Sequence, residues 1–218
     1  MNCLLAAATV KEITPFLDHY RKAQQKWASG LTIDILITGI GLTATAYSLT
    51  KQCGLKRPDL VIQAGVAGCF DKSIPLGTVV AIKQDTIADD SVVELKKMKT
   101  LFNLKLVPQN QAPYKKGWLV NPAGALLKRS GLKPVNGISV NQITTSNRVI
   151  QFYNDEFNPV TESMEGAALH YVCLREKIPF LQVRAVSNYI GERNKKNWNM
   201  KESIANLNRE LINVVERM

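Results

Sequence analysis

Six short runs of the chain are almost continuously apolar: residues 3–8, 33–38, 60–64, 78–83, 137–143 and 180–186. A strand with one wet face alternates apolar and polar side chains. Runs that are apolar at nearly every position predict strands covered on both faces. Between them, apolar positions recur at helical spacing over residues 13–27, 42–53, 165–176 and 201–217. Strands interleaved with helices predict a wound α/β sandwich whose sheet is mostly parallel. Pro58 and Pro179 each stand just before a strand, where a missing N–H is tolerated. From Gln84 to Pro134 the pattern weakens and Pro, Asn and Lys accumulate, which suggests a mobile lid or an interface segment. With no repeat, low-complexity stretch or boundary, residues 1–218 read as a single domain.

Composition narrows the class. The 218 residues, 45% apolar and 21% charged, suit a globular chain with a real core. No run approaches the roughly 18 apolar residues of a membrane span. The apolar start, Met1 to Val10, lacks a basic leader and merges into Lys11 and Glu12, so it reads as a buried first strand and not as a signal peptide. Cys3, Cys53, Cys69 and Cys173 show no paired spacing, and they are expected to be reduced core residues of a cytoplasmic protein. The net charge is +10, but the basic residues are scattered in pairs such as Lys96 and Lys97, or Lys115 and Lys116. Nucleic-acid surfaces concentrate charge along one element, so a nucleic-acid partner is not expected; the charge reads first as a solvated face, and secondarily as a positive field that attracts a small anionic substrate.

The candidate chemistry is carried by a few residues. Gly39 and Gly41 end one strand, and Gly65 and Gly68 flank Val66 and Ala67 at the end of another. Glycine there lets a ligand approach the backbone, and equally makes a plain tight turn. A dinucleotide fingerprint would need a third glycine where Ala44 stands, and no phosphate-binding lysine motif occurs, so no cofactor is expected. His19 and His170 lack ligand spacing, so neither is a metal candidate. Glu12 sits where the first strand yields to the first helix, either serving the helix dipole or poised over a site. Glu162 and Glu165 are expected to open an amphipathic helix, with Gly166, Ala167 and Ala168 letting its start pack closely. The last apolar strand stops at the polar pair Ser187 and Asn188, the way strands deliver groups to the mouth of an α/β sheet.

At Met164-Glu165 and at Ser187-Asn188, with the spacing between them, the chain resembles the purine nucleoside phosphorylase and nucleosidase superfamily. The run from Ser187 to Asn194, with Asn197, Trp198 and Asn199, looks most like its futalosine hydrolase branch, which serves an alternative menaquinone pathway. The resemblance implies a three-layer α/β/α sandwich around a central mixed, mostly parallel sheet, a homodimer, and a small-molecule purine nucleoside as partner. It makes Glu12 the carboxylate that activates water, Glu165 the ligand of the ribose hydroxyls, and Met164 a contact of the sugar. Gly65, Val66 and Ser187 fall at the substrate. Asn188 stands where the adenine-specific nucleosidases carry Asp, which implies a 6-oxopurine base. Val66 stands where those enzymes usually have Ser, and no arginine flanks it, so water is preferred over phosphate. The alternatives are a methylthioadenosine/S-adenosylhomocysteine nucleosidase or another purine nucleoside hydrolase or phosphorylase.

Overall fold

Each apolar run is a strand in the computed structural model, which describes residues 1–23, 30–95 and 97–218. The order is β1 (Asn2–Ala7), α1 (Val10–Ala23), β2 (Thr32–Ile37), α2 (Leu42–Leu55), β3 (Leu60–Cys69), β4 (Val79–Asp85), β5 (Ser91–Glu94), β6 (Lys97–Thr100), β7 (Leu119–Val120), α3 (Gly124–Ser130), β8 (Lys133–Ser139), α4 (Asn147–Phe157), β9 (Thr161–Ser163), α5 (Gly166–Glu176), β10 (Phe180–Tyr189) and α6 (Met200–Glu216). Trp27 at the expected end of the first helix, and Lys96, lie outside the described residues.

The sheet is mixed and mostly parallel. β2, β1, β3 and β10 run parallel, as do β4, β8 and β9, while β10 meets β4 and β3 meets β9 antiparallel. Through these pairings β3, β10, β4, β8 and β9 close into a ring, and β1 and β2 extend it. Closure removes the edges those five strands would otherwise expose. Alternate side chains feed two apolar layers. Cys3, Leu5 and Ala7 of β1 pack with Ile13 and Phe16 of α1 and with Leu207, Leu211 and Val214 of α6. Leu4 and Ala6 pack with Leu49 of α2 and Leu169 and Val172 of α5. The three-layer arrangement follows.

Three departures from the sequence reading bear on the site. Glu162 does not open a helix: it lies in β9, too short a strand to show a periodicity of its own, held between β8 and β3. Helix α5 starts at Gly166 and is buried on nearly every side, not amphipathic. Strand β8, expected from residue 137, begins four residues earlier at Lys133. It ends at Ser139 because the Asp89 carboxylate accepts from the N–H groups of Asn141 (2.6 Å) and Gln142 (3.2 Å), drawing the chain off the sheet. The pattern-poor stretch after Gln84 holds the β5–β6 hairpin, β7 and α3.

Candidate active site

The C-terminal ends of β1, β3 and β10 open on a cavity of about 360 Å³, within the size range of small-molecule sites. Glu12, Val66, Met164, Glu165, Ser187 and Asn188 all line it. Residues separated by up to 176 positions therefore meet at one place. A roomier hollow of about 460 Å³ lies beside Lys83, Lys133 and Asn158, but it receives none of these groups, so the chemistry selects the smaller one.

Glu12 occupies the first turn of α1, three residues after Thr9. Its Oε2 accepts from the Thr9 N–H (3.0 Å) and hydroxyl (3.1 Å), the glutamate half of a helix capping box, while the Glu12 N–H donates to the Thr9 carbonyl at 3.3 Å. Its Oε1 faces the other way and accepts from the Val66 N–H at 3.3 Å. One oxygen thus anchors the helix start while the other is held at the cavity floor. Asn208 of α6 steadies the same turn: it accepts from the Phe16 N–H (2.9 Å) and donates to the Glu12 carbonyl (2.8 Å). That side chain replaces a backbone bond beside Pro15 and ties the position of Glu12 to the last helix.

Glu165 is the residue before α5, yet its side chain caps nothing in that helix. The hydroxyls of Ser163 and Ser139 take the N–H groups of Gly166 (3.3 Å) and Ala167 (2.8 Å) instead. The carboxylate is therefore released from capping duty. Its Oε1 accepts from Gly41 N–H (3.2 Å), presented by a glycine at φ 96° before α2, and its Oε2 pairs with Arg184 Nη1 at 3.3 Å. Arg184 is 1% exposed and also donates to Gln63 Oε1 at 2.9 Å. It was missed as a site residue because β10 reads as an apolar run. Gln182 and Arg184 recur two apart in it, the period of one strand face, and that alternation was the available signal.

Under α5 this face forms a buried polar layer. Asp85 accepts from the Ser139 hydroxyl at 3.0 Å. Burial pushes its carboxyl up to about 6, against the pull of Ser139, Gln182 and Arg184. His170 is wholly buried with Nδ1 2.7 Å from the Leu119 carbonyl, and burial lowers it to about 4, so it is neutral and donates there. Gly166 is required by close approach: a Cβ would strike Gln182 Nε2 and Asp85 Oδ2. The crowding comes from side chains and not from backbone.

Gly65 is not on the cavity surface. A Cβ at that position would collide with the Arg184 guanidinium and come within 3.1 Å of Glu12 Oε1, so its role is to let those two groups in. The sequence reading found no arginine near Val66. The fold supplies Arg184 from β10, committed to Glu165 and Gln63, and no arginine lines the cavity among the described residues. Ser187 donates to Asn188 Oδ1 (2.8 Å), and Asn188 Nδ2 donates to the Tyr189 carbonyl (3.2 Å). An amide nitrogen carries two N–H groups, so one remains for a ligand. Glu162 also lines the cavity, with Oε1 held by the Thr144 N–H at 3.0 Å, and burial raises its carboxyl above the usual range. Trp198, Met200 and Ile204 add an apolar wall from the start of α6.

Known proteins of similar sequence and fold are nucleosidases and futalosine hydrolases by name. Futalosine hydrolase of Thermus thermophilus is 26% identical over 199 residues, spanning 89% of this chain and 87% of that protein. A 5'-methylthioadenosine/S-adenosylhomocysteine nucleosidase of Haemophilus influenzae is 30% identical over 168 residues, 73% of this chain and 69% of its own length. Among solved structures, futalosine hydrolase of Helicobacter pylori superposes with a TM-score of 0.81 at 18% identity, covering 100% of this chain and 98% of that one. The Helicobacter pylori 5'-methylthioadenosine/S-adenosylhomocysteine nucleosidase does so at 0.82 and 18%, covering 100% and 99%. The profile of the phosphorylase superfamily matches residues 5–218, and with the shared fold and the site assembled on it, the chain belongs to that superfamily.

Proposed function

We propose that the chain hydrolyses the N-glycosidic bond of futalosine, releasing hypoxanthine and the remaining sugar product. Nucleosidase chemistry is what the family and the named relatives support. The choice of a 6-oxopurine substrate rests on Asn188 and on the length of the match to a futalosine hydrolase. The observation that carries the proposal is the convergence of the Glu12 and Glu165 carboxylates on one cavity with the Asn188 amide beside them.

Cleaving a ribosyl–purine bond develops positive charge on the sugar and negative charge on the base. Glu165, fixed by Gly41 and Arg184, accepts from the ribose hydroxyls and stabilises the oxocarbenium-like sugar. Met164 packs against the sugar. Glu12 Oε1, held by the Val66 N–H, takes a proton from water as it attacks the anomeric carbon. The remaining N–H of Asn188 donates to the departing base, whose negative charge it favours. Water is preferred over phosphate because Val66 offers no hydroxyl and Arg184 is already engaged. Residues 1–218 act in this scheme as one catalytic domain, paired in a cytoplasmic homodimer. Ile40 lines the cavity yet is 63% exposed, which leaves a side for a second copy to cover.

The test is incubation with futalosine, inosine and methylthioadenosine in phosphate-free buffer, with chromatography of the released base and sugar. Hypoxanthine and a free ribosyl sugar are expected. Adenine released as fast as hypoxanthine, the outcome for a methylthioadenosine nucleosidase, rules out the substrate assignment. A sugar phosphate formed only with added phosphate rules out hydrolysis.

A further inference from the structure

The cavity is lined by the carboxylates of Glu12, Glu162 and Glu165, and among the described residues one cation joins them, Lys11. Lys11 is exposed and forms no ion pair among the described residues, so its ammonium is uncommitted. It is also poorly placed for folding. As the second residue of α1 it stands in the first turn, where the helix dipole disfavours a positive charge. Arg21 and Lys22 of the same helix stand in the last turn, where a cation is favoured. A local rule broken without a stabilising return is a mark of function. The exposed lining residues define the mouth of the cavity: Lys11 is there with Ile40 and Ile143, while Glu162 and Glu165 are buried. The cavity is therefore negative at depth and positive at its rim.

We infer that Lys11 is a specificity-determining residue that pairs with a carboxylate on the 5′ substituent of the nucleoside. The inference rests on the nucleosidase reading of the cavity. With the base at Asn188 and the sugar hydroxyls at Glu165, the 5′ substituent is the part of the substrate left to occupy the mouth. Charge then sets the direction of binding. A carboxylate is repelled by Glu12 and attracted by Lys11, so it stays at the rim and the base goes inward. Futalosine carries a benzoate at that end of its sugar, and the apolar wall of Trp198, Met200 and Ile204 suits the ring. Methylthioadenosine has a neutral methylthio group there, which gains nothing from an ammonium.

The experiment compares kcat/KM for futalosine and for its methyl ester, which has the same base, sugar and ring without the charge. It uses the unmodified protein, Lys11→Met and Lys11→Arg. Arg193→Met serves as the rival cation, since that guanidinium lies 5.8 Å from the centroid of the Trp198 ring. The acid-to-ester ratio is expected to fall about 5- to 10-fold in Lys11→Met, the weight of a partly exposed ion pair. The loss should appear in KM more than in kcat, because a contact remote from the anomeric carbon holds ground state and transition state alike. Lys11→Arg should retain most of the ratio, and Lys11→Met should melt no lower than the unmodified protein, since it removes a charge the dipole disfavours. A lysine that only shapes the helix start would change acid and ester together. That unchanged ratio overturns the inference while the nucleosidase reading stands, as does a ratio lost in Arg193→Met and kept in Lys11→Met. A second measurement needs no variant: in the unmodified protein the ratio should shrink at high salt, which screens an exposed pair, and a ratio indifferent to salt overturns the inference. If the unmodified protein releases no base from any nucleoside, the functional reading falls and takes this one with it.

Discussion

Replacing Arg184 with methionine removes a cation from the most enclosed part of the site and keeps most of the side-chain volume. The guanidinium lies 3.3 Å from Glu165 Oε2, with the two side chains 1% and 8% exposed. At that separation, an effective dielectric near 20 gives an attraction of about 5 kcal/mol. The desolvation of both ions opposes it, so the pair itself adds little net stability. Removing one partner is different: Glu165 keeps a buried charge without compensation and Gln63 Oε1 loses its donor, a change that costs about 3–5 kcal/mol. Urea unfolding monitored by fluorescence should show that loss, with a Tm drop of about 10 °C for a chain of this length. kcat/KM should fall about 100-fold because Glu165 is no longer held in place for the sugar. Arg184→Lys should recover only part of both, since one ammonium cannot reach Glu165 and Gln63 together as the fork does. The decisive variant is Arg184→Met with Glu165→Gln. Neutralising the stranded carboxylate should restore stability by about 2 kcal/mol relative to Arg184→Met alone while activity stays lost. A double variant no more stable than the single one, or a single variant within about 1 kcal/mol of the unmodified protein, refutes the reasoning.

Other outcomes follow from the same geometry. Glu12→Gln should lower kcat by at least about 100-fold with KM nearly unchanged, measured on the best nucleoside substrate, because it loses the proton acceptor and keeps the cavity. His170 stays neutral in the fold with its pKa lowered to about 4, whereas in the unfolded chain it protonates near 6.5. Its contribution is therefore complete above about pH 6.5 and is lost as pH falls toward 4, to a total of about 3 kcal/mol. Asp85, raised to about 6, has the opposite slope over the overlapping range, so the test is the difference in urea stability between the unmodified protein and His170→Asn at pH 7 and pH 4.5. The asparagine should lose less stability on acidification; equal losses would contradict the assignment. Gly166→Ala forces a methyl against Gln182 and Asp85 and should destabilise by at least about 1–3 kcal/mol in the same assay, and lower activity by displacing Glu165. A neutral effect would mean the helix start shifts freely.

Much of the architecture is local and was open to reading along the chain. Apolar runs marked β1 to β4, β8 and β10, and helical spacing marked α1, α2, α5 and α6, because burial on both faces leaves its trace residue by residue. Helix α4 was equally legible in the spacing of Val149, Tyr153 and Phe157 and was overlooked. So was the capping interaction, since Thr9 and Glu12 stand at the required interval. The three-residue strand β9 was not, because pairing and not its own pattern makes it a strand.

What the order of residues determined by itself was the fold class, the small set of acids and amides able to do this chemistry, and the family marks around Glu165 and Asn188. Only the tertiary structure decided which of them act together. Ring closure of the sheet brought Arg184 behind Gly65 to hold Glu165, and the packing of α6 let Asn208 fix the turn bearing Glu12. Those relations depend on strand register and on helix packing between distant segments. No local periodicity encodes them, because each partner alone looks like an ordinary buried or capping residue.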